Sequence, residues 1–154
     1  MSIAYHRGDA TAPPGPGSRI IAHVCNDLGR WGKGFVLALS RRWKEPEQRY
    51  REWHASGEGF GLGALQLVQV EPALWVANMV GQKGLRATAE GPPIRYGALE
   101  QALARLATEA RGLGASVHMP RIGCGLAGGR WEEIAPLLER TLVAAGVAVH
   151  VYDP

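Results

Sequence analysis

The 154-residue chain has no apolar run approaching the roughly 20 residues that a membrane-spanning helix needs. Its start, Met1-Ser2-Ile3-Ala4-Tyr5-His6-Arg7, lacks the apolar centre of a signal peptide, so a cytoplasmic location without a membrane partner is the expectation. Only two cysteines occur, Cys25 and Cys124, in different predicted strand-end loops, and a cytosolic compartment would keep them reduced. There is no Cys-x-x-Cys and no His-Glu-x-x-His, and His6, His23, His54, His118 and His150 show no i, i+4 pairing, so no metal site is expected. His23 and His118 fall on predicted strands and read as satisfied core or strand-end side chains. A Gly-x-Ser-x-Gly elbow is also missing. Neither sign of charge dominates: net +3 suits an anionic ligand and is too small to imply nucleic acid. With 46% hydrophobic residues the chain can bury about 70% of its unfolded surface and is expected to form one domain over residues 1–154.

Glycine is what the chain has in quantity. Four glycines lie in the run Pro120-Arg121-Ile122-Gly123-Cys124-Gly125-Leu126-Ala127-Gly128-Gly129-Arg130-Trp131, between a strand-like segment and a helical one. Glycine lets backbone N–H groups turn toward an anion with no Cβ in the way, and a following helix adds its own free donors, so the loop reads as a phosphate cradle. A second strand-glycine-helix unit occurs earlier, with Gly29, Trp31, Gly32, Lys33 and Gly34 after the apolar run Ile20–Val24. Two such loops on one sheet edge would form the two walls of a cleft suited to a diphosphate.

Strands are expected at Ile3–Arg7, Ile20–Val24, Leu65–Val70, Leu74–Val80, Val117–Met119 and Val147–Tyr152, the third and fourth as an antiparallel pair. Helices are expected from Phe35 to about Trp43 and from Pro46 to Trp53. A third carries the stripe Leu99, Leu103, Leu106, Ala110 and Leu113, and a fourth carries Ile134, Leu138 and Leu142 with Pro136 in its first turn or just before it. This order implies an α/β fold, a three-layer α/β/α sandwich around a central mixed sheet.

Gly123, Gly125 and Gly128 satisfy Gly-x-Gly-x-x-Gly, and Asp153 ends the following strand as a ribose-binding acid would. That fingerprint normally opens its fold, whereas here one helix and one strand remain. Glu132 and Glu133 point about 100° apart on a helix and do not make a catalytic pair. Arg41–Arg51 mixes basic and aromatic residues, but Glu45 and Glu47 interrupt the charge, and Tyr50 with Trp53 has the spacing of a core-facing stripe.

Together, Gly8-Asp9-Ala10-Thr11, Ala22-His23-Val24-Cys25-Asn26 with Trp31-Gly32-Lys33-Gly34, Trp75-Val76-Ala77-Asn78, Met119–Leu126 and the closing Val151-Tyr152 resemble a macrodomain across almost the whole chain. They look most like the compact branch holding hydrolases that remove ADP-ribose from protein glutamate and antitoxins that remove it from DNA thymidine. The resemblance implies ADP-ribose as ligand, ADP-ribosylated proteins or nucleic acid as partners, and no cofactor. It puts Asp9 at the adenine amino group with Ala10 beside it, and Asn26 at the distal ribose. Trp31, Gly32, Lys33 and Gly34 become the first phosphate-side loop. Ile122, Gly123, Cys124, Gly125, Leu126, Ala127 and Gly128 become the second, and Tyr152 covers the adenine edge.

The sequence departs from that branch at the chemistry. The lysine that attacks the opened ribose is replaced by Gln82, with Lys83 one residue later, and the aspartate after Gly-x-Gly-Leu is Ala127. A lysine route would require Lys83 to turn inward. The expectation is therefore non-covalent hydrolysis, with Asn26 or Gln82 positioning a water and the ligand's diphosphate assisting. The alternatives are an ADP-ribose reader without turnover and a phosphatase acting on ADP-ribose 1''-phosphate.

Overall fold

The structure, a computed structural model, describes residues 2–154. Six strands, β1 (Ala4–Arg7), β2 (Arg19–Asn26), β3 (Leu65–Glu71), β4 (Leu74–Gln82), β5 (Ser116–Met119) and β6 (Val149–Asp153), form one sheet in the order β1-β6-β5-β2-β4-β3. Every neighbouring pair is parallel except β3 with β4. The mixed sheet is the one expected.

β2 explains why the sheet is covered on both sides. Its run Arg-Ile-Ile-Ala-His-Val-Cys-Asn is buried along most of its length, as a central parallel strand should be. Alternate residues serve different layers: Ile20 and Ala22 join the core under the helices α3 (Tyr96–Leu113) and α4 (Trp131–Leu138). Ile21 and Cys25 join the core under α1 (Phe35–Ser40) and α2 (Glu45–Ser56). The stripe Leu99, Leu103, Leu106 and Ala110 is fully buried, and Gly114 closes α3 in the left-handed conformation.

Two local expectations need correction. The first helix stops at Ser40 rather than near Trp43, because α2 begins at Glu45 with Pro46 in its first turn and the chain must turn between them. Pro136 is the sixth residue of α4, not part of its first turn, and the helix continues as a π-helical turn over Glu139–Val143. Tyr50 of α2 is fully buried, as its stripe position implied.

The parallel arrangement decides where function can lie. The carboxyl ends of β1, β6, β5, β2 and β4 all emerge at one edge of the sheet, which is where open α/β sheets hold their ligands.

Candidate functional site

Both glycine loops emerge at that edge from adjacent strands: Asp27–Gly34 from β2 and Pro120–Arg130 from β5. They meet at the tip, where a Cβ on Gly34 would lie 3.7 Å from Leu126 Cδ1. Gly32, Lys33, Gly34, Gly125 and Leu126 are exposed there. Among the described residues, the N–H groups of Gly125, Leu126 and Ala127 donate to no backbone carbonyl. Three consecutive free donors in a glycine loop are the kind of group an anion can use.

The second loop's shape is built from contacts that exclude side chains. Gly123 and Gly128 have positive φ, and a Cβ on Gly129 would stand 2.5 Å from the Gly123 carbonyl oxygen. The Gly129 N–H donates to that same oxygen at 2.7 Å. Ile122 and Ala127 are buried, and the Ala127 carbonyl accepts the Ile94 N–H. The Ala127 methyl therefore belongs to the core, and the loop presents backbone rather than this side chain. Cys124 is half-buried, and burial pushes its thiol up, so it is not an activated nucleophile.

Asn26 shapes the first loop. Its Oδ1 accepts the N–H groups of Leu28 and Arg30 at 2.9 and 3.2 Å, and its Nδ2 donates to the Arg30 carbonyl at 2.9 Å. The buried Tyr50 hydroxyl donates to the Asn26 carbonyl at 2.5 Å. Burial, with the Asp27 charge adding, pushes that hydroxyl up and keeps it a donor. Expected as a water-positioning group, Asn26 instead spends its carboxamide on the loop. Trp31 needs a like correction: its indole is 4% exposed, packs on Tyr50 and His23, and donates to Ser40 Oγ at 2.8 Å. Any part it takes at a ligand falls to its backbone.

At the end of β4, Gln82 donates through Nε2 to the Gly84 carbonyl at 3.0 Å. Lys83 does not turn inward: its Nζ lies 3.8 Å from Glu90, which also faces Arg95 at 3.7 Å. A cavity of about 410 Å³ opens beside it, lined by Leu28, Lys83, Leu85, Arg86 and Arg95 among others. Sequence reasoning missed Asp27, whose Oδ1 accepts the Gly84 N–H at 2.8 Å while its own N–H donates to the Gln82 carbonyl at 2.9 Å. No local pattern signals a contact across 57 positions.

At the other end of the edge, Asp9 accepts the Thr11 hydroxyl and N–H and pairs with Arg42 at 3.3 Å, and these bonds, the Thr11 hydroxyl first, hold its carboxyl below the usual range. Ala10 is buried. Tyr152, expected to cover a ligand, is itself buried. Its hydroxyl bonds His118 Nδ1 at 2.8 Å and its ring stacks on His6, so it forms floor beneath Gly8 rather than a lid.

The histidines read as core side chains prove so at two positions. Asn78 donates both amide hydrogens, to Pro46 O and Gln66 Oε1, so its Oδ1 must accept from His23 Nε2–H. Burial lowers His23 to about 4. Burial, then the neighbouring His150, lowers His118 to about 3. Among the described residues no cluster of three or more His, Cys, Asp or Glu side chains could hold a metal ion.

No family model matches the chain. Among solved structures it is similar to a protein of unknown function from Bacteroides thetaiotaomicron, with 55% identity, TM-score 0.98 and coverage of 100% of this chain and 99% of that one. It is similar to a macrodomain protein from Streptomyces coelicolor, with 56% identity, TM-score 0.89 and 99% of both chains covered. The DarG macrodomain of Mycobacterium tuberculosis matches at 27% identity and TM-score 0.76, covering 99% and 97%. Among curated proteins, mouse chromodomain-helicase-DNA-binding protein 1-like is 32% identical over 98% of this chain, which spans only 18% of that protein's length. An ADP-ribose 1''-phosphate phosphatase from Lodderomyces elongisporus is 26% identical over 99% of this chain and all of that one. A human ADP-ribose glycohydrolase is 24% identical over 97% and 90%.

Proposed function

The chain belongs to the macrodomain family, and we propose on that footing that it binds ADP-ribose and hydrolyses mono-ADP-ribose from acidic side chains of modified proteins. The observation that carries this reading is the meeting of two glycine loops from adjacent parallel strands, with three consecutive N–H groups of one of them free to bind an anion. A diphosphate has the length and charge to bridge them.

The strand order supports one orientation of the ligand. From β1 to β4 is four strand spacings, about 19 Å. Asp9 stands at one end, the paired loops in the middle, and Asn26, Asp27 and Gln82 at the other. Adenosine, diphosphate and distal ribose fit that order, which leaves the modified side chain at the β2–β4 end. Hydrolysis there requires a water to attack C1'' of the distal ribose while the linked carboxylate departs. Backbone donors already fixed on the diphosphate hold the reacting carbon still at no cost in reorganisation.

The decisive assay mixes the purified protein with a glutamate-ADP-ribosylated protein and measures ADP-ribose release against a no-enzyme control. Release establishes the hydrolase. Binding of ADP-ribose by calorimetry without release establishes a reader, the reading favoured by Ala127 and by the engaged amide of Gln82. Curated relatives named as phosphatases support a third activity, tested by phosphate release from ADP-ribose 1''-phosphate. A thymidine-linked DNA substrate, run in parallel, distinguishes a nucleic acid partner from a protein one.

A further inference from the structure

We propose that Asp27 is the general base of this hydrolysis, a role that rests on the hydrolase reading above. Attack of water at C1'' is accelerated when a protein group accepts the water's proton, alongside any help from the ligand's own diphosphate. Asn26 and Gln82 are neutral amides with no proton-accepting capacity of that kind, and the Ala127 methyl lies in the core. Three other carboxylates near this edge are held in ion pairs: Asp9 by Arg42, Asp153 by Arg121, and Glu90 between Lys83 and Arg95. Asp27 makes no ion pair among the described residues.

Its placement is fixed from two sides. The Asp27 N–H is tied to Gln82 and Oδ1 to the Gly84 N–H, so the carboxylate spans the gap between β2 and β4, at the distal-ribose end of the cleft. Among the described residues Oδ2 has no protein partner, and the residue is half-exposed, so water reaches it. The cavity of about 410 Å³ opens alongside, between Leu28 of Asp27's own loop and the Gly84–Arg95 segment, and offers room for the side chain that leaves.

The step balances without a cofactor. Oδ2 takes a proton as the water oxygen forms a bond to C1''. The C1''–O bond to the modified carboxyl breaks with its electron pair staying on that carboxylate. Asp27 then returns the proton to solvent, leaving free ADP-ribose and the unmodified acidic side chain.

Asp27→Asn tests the role, because its amide oxygen still accepts the Gly84 N–H while its basicity is gone. Expected is a fall in single-turnover rate of about a hundredfold or more, with ADP-ribose affinity by calorimetry within about twofold of wild type. Asp27→Ala, if it folds with a wild-type thermal transition, should regain part of its rate on addition of formate or azide. Asp27→Asn turning over within about threefold of wild type overturns the assignment, as does a parallel loss of binding and rate with no rescue. A wild-type protein that binds ADP-ribose but releases none from modified protein overturns the hydrolase reading itself, and the role of Asp27 with it.

Discussion

Leu126 reaches from the second glycine loop to Gly34 of the first, with its Cδ1 3.7 Å from where a Gly34 Cβ would be. The two glycine loops therefore approach each other at their tips. At Gly125 a Cβ meets nothing within 4 Å and φ is not positive, so a side chain there is tolerated by the fold. Gly125→Glu should keep the wild-type denaturation midpoint yet lower ADP-ribose affinity more than about a hundredfold, since like charges brought together cost several kcal/mol. Gly129→Ala, whose Cβ would strike the Gly123 carbonyl, should instead lose about 2 kcal/mol or more of stability. Calorimetry and urea titration of both variants check the contrast; equal binding by Gly125→Glu and wild type would remove the diphosphate from this loop.

Asn26→Ala should damage binding together with turnover. It leaves the Leu28 and Arg30 N–H groups and the Arg30 carbonyl without partners and frees the loop that carries Gly32 to Gly34. About 3 kcal/mol of stability is at stake. Asn26→Asp keeps the acceptor for both N–H groups and should recover much of the affinity. A variant that binds normally but turns over slowly would return Asn26 to a role at the reacting water.

Stability should fall as pH drops from about 6.5 toward 4.5. Burial lowers His23 to about 4 and His118 to about 3, whereas the unfolded chain protonates them near their ordinary value of 6.5. Between those limits the unfolded state binds the extra protons, so each histidine steepens the loss by up to about 1.4 kcal/mol per pH unit. The carboxylates of Asp9 and Asp153, held low by hydrogen bonds from Thr11 and Arg121, lose their contribution only at lower pH. Urea midpoints measured from pH 7 to 4.5 check this, and a flat profile would contradict the neutral, buried imidazoles.

The fold was largely legible because its strongest signals are periodic. β2 and β4 are apolar on both faces, and α3 repeats its leucines at three and four residues. The glycine loops were legible as strand-to-helix connections, since four glycines in one run break both regular patterns. Side-chain assignments within the loops fared worse. Trp31 sits among glycines that suggest exposure, but its indole folds inward to a serine nine positions later. Asp27 carries no local signal, because its partner, Gly84, lies on another strand's loop. Parallel sheets bring such loops together through crossovers, and no short-range pattern encodes the result.

Lys83→Ala should leave turnover within about threefold of wild type. A lysine that attacks an opened ribose must be unprotonated and aimed into the cleft, yet the Lys83 ammonium is half-exposed and directed at Glu90 on the outer segment. Loss of its charge removes only a weak surface pair, worth at most about 1 kcal/mol. The same geometry predicts that cyanoborohydride, added during turnover of wild-type protein, traps no covalent ADP-ribosyl adduct, because the Lys83 amine is directed at Glu90. A trapped adduct that disappears in Lys83→Ala would mean that the Gly84–Arg95 segment swings Lys83 inward on binding, and would shift the reaction from a water held by Asp27 to an attack by lysine.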